Sequence, residues 1–326
     1  MKGLYIGWGR PNAWGEALGT DLGARVIFTQ EAGARRTLWG RAPLRYGSDL
    51  LQSIRAIAES RAGFLMWQVP PSLAPILLRG GWHGVRAPWG LDLHSGAVNL
   101  QKWKWLLPVL RSVARSAAVT VAHNTEIAAL IEPWPSPVVV VDNYAVPLSE
   151  VPKSGERRAH GPVTVVASGS EDEPLDVVLA AARILGAHYQ FVVTGSREAV
   201  LKRMRGSALP PNVRLTGFLS RPAYLELLAS CSMAVCLTDR PATMQLGAWE
   251  AVSVGCPVVV SDYQVLRDYF RDVAAFTANS GDALAACVGL VRRDHTRYVT
   301  ASENMAVAIR DARAHQLRHV RARLAQ

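Results

Sequence analysis

Residues 239–263 read DRPATMQLGAWEAVSVGCPVVVSDY. It holds one glutamate, Glu250. Before it lies the apolar run Met233–Leu237, and after it comes Val258–Ser261. Each run has the length of a buried strand, and Met244–Val254 between them has the composition of a helix. Strand, turn, helix, strand is the repeating unit of a parallel sheet covered by helices. The pattern predicts Thr243, Met244 and Gln245 in the first helical turn, where backbone N–H groups lack helical partners and the dipole is positive. Such an end receives phosphate or pyrophosphate. Glu250 follows one to two turns later, angled back toward the helix start. A carboxylate there can accept hydrogen bonds from two vicinal hydroxyls, as a ribose presents them. A solvated glutamate on an ordinary helix fits the same residues, and the pattern alone leaves both readings open.

The alternation extends outward through the chain. Strands are predicted at Leu4–Trp8, Arg25–Thr29, Gly63–Gln68, Val119–Ala122 and Val138–Val141. A second series is predicted at Val163–Ser168, Gln190–Thr194, Val213–Thr216, Met233–Leu237 and Val258–Ser261. Helices are predicted at Asp49–Glu59, Lys102–Arg115, Pro174–Leu185, Arg221–Ala229 and Met244–Val254. The polar stretch VPKSGERRAHGP, residues 151–162, reads as a linker. The expected organisation is a first domain over 1–152 and a second over 153–304. A C-terminal helix of about 305–326 can return to the first domain. The fold class is α/β, with two Rossmann-like, doubly wound domains facing a central cleft. Ligands of such sheets bind at the carboxyl ends of the strands.

Composition bounds the function classes. A chain of 326 residues has room for two domains, and 49% hydrophobic against 19% charged residues argues for a folded core. No run of 18 uncharged apolar residues predicts a membrane span, and the apolar stretch near Leu4 is too short for a signal peptide. Cys231, Cys236, Cys256 and Cys287 lie at no metal-ligand spacing and read as reduced thiols of a cytoplasmic protein. The net charge of +10 favours anionic partners such as nucleotides, phosphorylated lipids or an acidic membrane surface. That charge is diffuse, and no helix-turn-helix or zinc-finger spacing marks nucleic acid as the ligand. The Ala-, Arg- and Trp-rich composition hints at a GC-rich bacterial genome or its phage.

The segment LTGFLSRPAYLELLASCSMAVCLTDRPATMQLGAWEAVSVGCPVVVSD resembles the nucleotide-sugar-binding half of retaining GT-B glycosyltransferases of the family 4 type. Glu250-Ala251, Gly255, Pro257, Val258-Val259 and Ser261-Asp262 carry the match. The segment GLDLHSGAVNLQKWKWLLPVLRSVARSAAVTVAHNTEIAALI resembles the acceptor half, with an Asp-x-His motif at Asp92 and His94. The resemblance implies transfer of a sugar from a nucleoside-diphosphate sugar, UDP- or GDP-linked, to an acceptor hydroxyl with retention. Glu250 would hold the ribose, Thr243–Gln245 the pyrophosphate, and His94 the donor sugar or its phosphate. Asp92 would orient His94. In a retaining transfer of this kind the leaving phosphate takes the acceptor proton, with general-base catalysis as the alternative. Gly195, Gly217 and Phe218 are expected near the nucleobase. Gly9, Trp14 and Gly15 belong to a loop over the cleft whose glycines do not have the GxGxxG spacing.

Two departures stand out. The family often carries a second acid eight positions before the first, and here that position is Ala242. The turn after the first strand of the second domain is usually basic, whereas Ser168–Pro174 is acidic. Arg240 and Arg197 are the candidate counter-cations, with solvated arginines as the plain alternative. No cofactor and no metal are expected. Glu171-Asp172-Glu173 reads as the acidic start of a helix at Pro174, and no Asp-x-Asp motif is present. The acceptor stays open among glycans, lipid-linked sugars and small molecules. Of the ten tryptophans only Trp249 follows the linker. Lys102-Trp103-Lys104-Trp105-Leu106-Leu107 fits peripheral contact with a membrane surface, or a packed helix whose lysines reach solvent. A nucleotide-sugar epimerase and a non-catalytic nucleotide-sugar-binding subunit are the rival functions.

Overall fold

The computed structural model describes residues 2–30, 42–78, 87–99, 101–141, 146, 147, 149–153, 159–203, 208–241 and 243–326. The chain divides into two units, one of residues 1–143 with 312–326 and one of residues 144–311. Ala242 and the middle of the predicted linker, residues 154–158, lie outside the described residues.

The first unit holds a six-stranded parallel sheet: β1 Gly3–Gly7, β2 Ala24–Phe28, β3 Phe64–Val69, β4 Trp89–Leu93, β5 Val119–Ala122 and β6 Val138–Val140. Its order is β2-β1-β3-β4-β5-β6, so the connection reverses direction between β1 and β3. The second unit repeats the plan with β7 Val163–Val165, β8 Phe191–Thr194, β9 Val213–Gly217, β10 Met233–Cys236, β11 Val258–Ser261 and β12 Ala274–Thr277. Its order is β12-β11-β10-β7-β8-β9, with the reversal between β7 and β10. Both sheets are buried on two faces, which is why their strands read as nearly unbroken apolar runs. Trp67 and Leu91 sit in one core, Phe191 and Val235 in the other.

Two strands escape the sequence pattern. β4, WGLDL, carries a glycine and an acid in its middle. A Cβ on Gly90 would lie 2.7 Å from Met66 Sδ and 2.8 Å from Val119 Cγ1, so the neighbouring strands close over it. β12, AAFT, opens on two alanines, a residue depleted in strands.

Two helices also differ from expectation. The segment predicted as one helix over Lys102–Arg115 is broken into Gln101–Lys104, Leu107–Val113 and a 3-10 turn Ala114–Ser116. Pro108 explains the break, since proline fits a first helical turn and disrupts an interior one. The helix predicted from Met244 begins at Leu246, because Gln245 is extended and acts as its N-cap. Thr243, Met244 and Gln245 therefore precede the helix rather than form its first turn. At the chain's end one helix, His295–Leu324, contributes residues to both units. Among the described residues no helix is long and apolar enough to cross a membrane.

Candidate functional site

The carboxyl edge of the first sheet gathers polar side chains around Asp92. Asp92 lies in β4, fully buried, with Gln68 beside it in register on β3. Its Oδ1 accepts from Trp14 Nε1 (3.3 Å) and from His123 Nε2 (2.6 Å), just past the end of β5. Its Oδ2 accepts from the Tyr5 hydroxyl and lies 3.2 Å from His94 Nε2. Burial alone would raise the Asp92 carboxyl. The adjoining His123 and His94 overcome it and hold the group well below the ordinary carboxylate range. Tyr5 moves the other way, raised by burial and then by the Asp92 charge. Burial, then repulsion from His94, lowers His123 to about 4. Asp92 is thus ionised and His123 neutral near pH 7.

Local structure explains why these groups meet. Asn12 caps the helix Ala13–Leu22 by accepting from Gly15 N–H (2.9 Å). That cap sets Trp14 in the first turn, its ring 4.2 Å from the His123 ring. Asn12 also pairs with the Gln68 amide at 3.2 and 3.3 Å, and Gln68 Nε2 reaches His94 Nε2 at 2.9 Å. The structure thus brings Asp92, His94 and Trp14 together, with Gly15 serving the cap. Gly9 lies apart, its carbonyl accepting from Gln30 N–H (3.0 Å). His123 was not singled out by sequence reading. It stands 31 positions from Asp92, and only the pairing of β4 with β5 makes them neighbours.

The second unit gathers its polar groups where its strand order reverses. Glu250 sits on the helix Leu246–Ser253 and is only 6% exposed. Its Oε2 accepts from the Tyr224 hydroxyl (2.8 Å), and its Oε1 pairs with Arg221, which also reaches Glu150 (3.2 Å). Arg221 and Tyr224 come from the helix Arg221–Ser230. The loops after β7 and β10 meet through Asp172. Its carbonyl accepts from Asp239 N–H (2.7 Å), and its carboxylate from Thr238 (3.2 Å), with Arg240 3.5 Å away. Glu173 turns back into the loop after β7. Its carboxylate accepts from the N–H groups of Ser168, Gly169 and Ser170 and from the Ser168 hydroxyl, at 2.8 to 3.0 Å. Consecutive N–H groups of this kind make an anion-binding concavity, and here the chain's own acid fills it. The acidic run therefore serves this loop rather than the first turn of the helix Leu175–Leu185.

The remaining predicted residues are dispersed around that edge. Gly195 and Gly217 join through Gly195 N–H to the Gly217 carbonyl (3.0 Å), both with positive φ. Phe218 next to them is 75% exposed. Arg197 is committed to the Leu215 carbonyl (3.3 Å), whereas the Arg240 side chain is 60% exposed. Thr243 N–H closes a turn onto the Arg240 carbonyl (3.2 Å), and the Gln245 amide reaches the Leu237 carbonyl (3.5 Å).

Comparisons with known proteins agree with this architecture. Residues 162–293, inside the second unit, match the family model for glycosyl transferases group 1. Sucrose-phosphate synthase from Thermosynechococcus elongatus superposes with a TM-score of 0.71 at 13% identity, covering 99% of each chain. HepE from Anabaena, solved with UDP and glucose, gives 0.69 at 14% identity over 100% of this chain and 99% of that one. The catalytic domain of starch synthase IV from Arabidopsis thaliana, bound to ADP and acarbose, gives 0.66 at 9% identity over 100% of both. Comparison with curated proteins returned no match. The two-sheet α/β fold is the GT-B architecture. The family match covers residues 162–293 alone, less than half of the chain.

Proposed function

We propose that this protein transfers a sugar from a nucleoside-diphosphate sugar to an acceptor hydroxyl with retention of configuration. The observation that carries the reading is Glu250, set in the matched domain beside the point where the strand order reverses. Ligands of open α/β sheets bind at such reversals. Each Glu250 oxygen already carries one donor, Arg221 or Tyr224. A carboxylate accepts about four hydrogen bonds, so capacity remains for two ribose hydroxyls. Arg221 and Tyr224 hold the carboxylate in place before the ribose arrives. Thr243, Met244 and Gln245 supply the pyrophosphate contact, Arg240 its exposed counter-cation, and Gly195, Gly217 and Phe218 the nucleobase contact. His94, oriented by Asp92, meets the donor sugar or phosphate. The donor is UDP- or GDP-linked, and the nucleotide's own phosphate takes the acceptor proton.

The test is to incubate the protein with UDP-, GDP-, ADP- and dTDP-sugars and an acceptor panel, reading nucleotide release and product anomer by NMR. Release from one nucleotide family, with a product of the donor's configuration, is expected. An isomerised donor without acceptor would mean an epimerase. Binding with neither transfer nor hydrolysis would mean a non-catalytic subunit.

The proposed setting is cytoplasmic and peripheral to the membrane. Trp105 is 70% exposed, and its chain neighbour Lys104 lines a cavity of about 720 Å³ with Leu107, Pro108, Arg111, Ser112, Arg115 and Trp134. Three cations around exposed apolar surface suit an anionic lipid surface. Co-sedimentation with anionic but not zwitterionic vesicles, weakened by Trp105→Ala and Arg111→Ala, is expected. Absence from the anionic pellet would remove this contact.

A further inference from the structure

We propose that His123 is a specificity-determining residue, its Nδ1 accepting a hydrogen bond from a hydroxyl of the transferred sugar. The acceptor itself is built within the first unit. That its partner is the transferred sugar rests on the function proposed above.

The free acceptor follows from the protons around Asp92. Tyr5 donates to Oδ2 and Trp14 to Oδ1, so the buried carboxylate is satisfied in its ionised form. The 2.6 Å contact from Oδ1 to His123 Nε2 needs a proton between the two atoms. With Asp92 ionised, that proton belongs to Nε2. A neutral imidazole carries one proton, so Nδ1 keeps a lone pair. Burial holds the ring neutral, and His94 and Arg313 add to that against the pull of Asp92.

Packing fixes the ring that carries this lone pair. The Trp14 ring lies 4.2 Å away between centroids, and the His94 ring meets it edge-on at 4.0 Å. Arg313 stands over the far partner, 5.3 Å from the Trp14 centroid. Turning the imidazole over would set a carbon against Asp92 in place of Nε2. Among the described residues nothing donates to Nδ1, and the side chain keeps 16% of its surface open. His94 differs, because its Nε2 is engaged by Gln68 as well as by Asp92.

The chemistry of the spot selects its ligand. Phosphate and carboxylate oxygens bring no proton to a lone pair, and the Asp92 charge repels them. A sugar hydroxyl supplies the proton without a charge. A site that awaits a hydroxyl discriminates against an analogue with hydrogen or fluorine there, because its own polar group is left unpaired. His123 thus reads one hydroxyl of the sugar, and Glu250 reads the nucleotide.

The test uses the full chain and the nucleotide family that stabilises it. Nitrogen-15 NMR of the histidine rings should show His123 protonated at Nε2 and bare at Nδ1. The Nδ1 signal should move on addition of the nucleotide sugar and stay in place with the nucleotide alone. Calorimetry then compares the parent conjugate with analogues deoxygenated or fluorinated at each sugar position. One position should cost wild type roughly tenfold in affinity. His123→Phe, which keeps a ring against Trp14, should bind the parent conjugate as weakly as wild type binds that analogue, with no further loss for the analogue itself. A proton on Nδ1, an Nδ1 signal unmoved by the sugar, or losses that simply add would overturn the proposal. The NMR measurements on wild type decide the matter where His123→Phe does not fold. Wild type that binds no nucleotide overturns the proposed function as well, whereas nucleotide binding with an unmoved Nδ1 signal overturns only the role of His123.

Discussion

His123 Nε2 lies 2.6 Å from Asp92 Oδ1 across the ends of two adjacent parallel strands. This contact fixes the proton balance of the first unit's carboxyl edge. The acid stays charged, and the imidazole stays neutral because burial and the nearby His94 lower it to about 4.

A pH dependence follows. The unfolded chain protonates His123 near the ordinary imidazole value of 6.5, the folded chain near 4. Between those values the unfolded state binds more protons, so stability falls as pH drops through that window. Urea unfolding at pH 7.5 and pH 5 should differ by on the order of 2 kcal/mol in wild type. The His123→Gln variant should lose most of that difference. Asp92 acts below this window, since its lowered group adds stability above the ordinary carboxylate range and loses it at lower pH.

The Glu250 site should respond as a coupled unit. Tyr224→Phe removes a hydrogen bond to a nearly buried carboxylate and should cost about 1–2 kcal/mol in urea unfolding. Glu250→Gln should cost a similar amount, with Arg221 retaining Glu150. The double variant should cost less than the sum by at least about 0.5 kcal/mol, because both changes break the same contact.

Two glycines with similar backbone angles should behave differently. Gly195 has φ +82, and a Cβ there would lie 2.0 Å from the Ala167 carbonyl oxygen. Gly217 has φ +76, but a Cβ would come no closer than 3.8 Å to Arg197. Gly217→Ala should cost only the left-handed penalty, about 1–2 kcal/mol. Gly195→Ala must also displace backbone and should lower the thermal midpoint substantially more.

The end of the C-terminal helix is tied by a buried cation. Arg313, 5% exposed, donates to Asp21 Oδ2 at 2.7 Å. Asp21→Ala weakens the compensation of that charge and should cost roughly 2–4 kcal/mol in chemical unfolding. Breaking an exposed pair such as Arg267–Asp262 by the same change should cost far less.

Much of the fold was legible because strands buried on both faces leave apolar runs. Val119–Ala122 and Val258–Ser261 match their predicted bounds. β4 and β12 were missed in the strand pattern for opposite reasons. One interrupts its run with Gly90 and Asp92, and the other is half alanine. The site was legible where its residues stand close in sequence, as Asp92 and His94 do. His123 depends on strand pairing, and Arg221 and Tyr224 depend on helix packing against Glu250, so no local spacing announced them. The Glu173 concavity was hidden differently. Its acid looked like a helix-start residue, and only the backbone path after β7 turns it onto three N–H groups.

The central claim is that Glu250 anchors a nucleotide-sugar donor. Thermal shift with UDP, GDP, ADP, dTDP and their sugar conjugates, on wild type and Glu250→Gln, tests it most directly. The account predicts that one nucleotide family stabilises the wild type and that this shift largely disappears in Glu250→Gln. Equal stabilisation of both proteins, or no shift with any nucleotide, would contradict it.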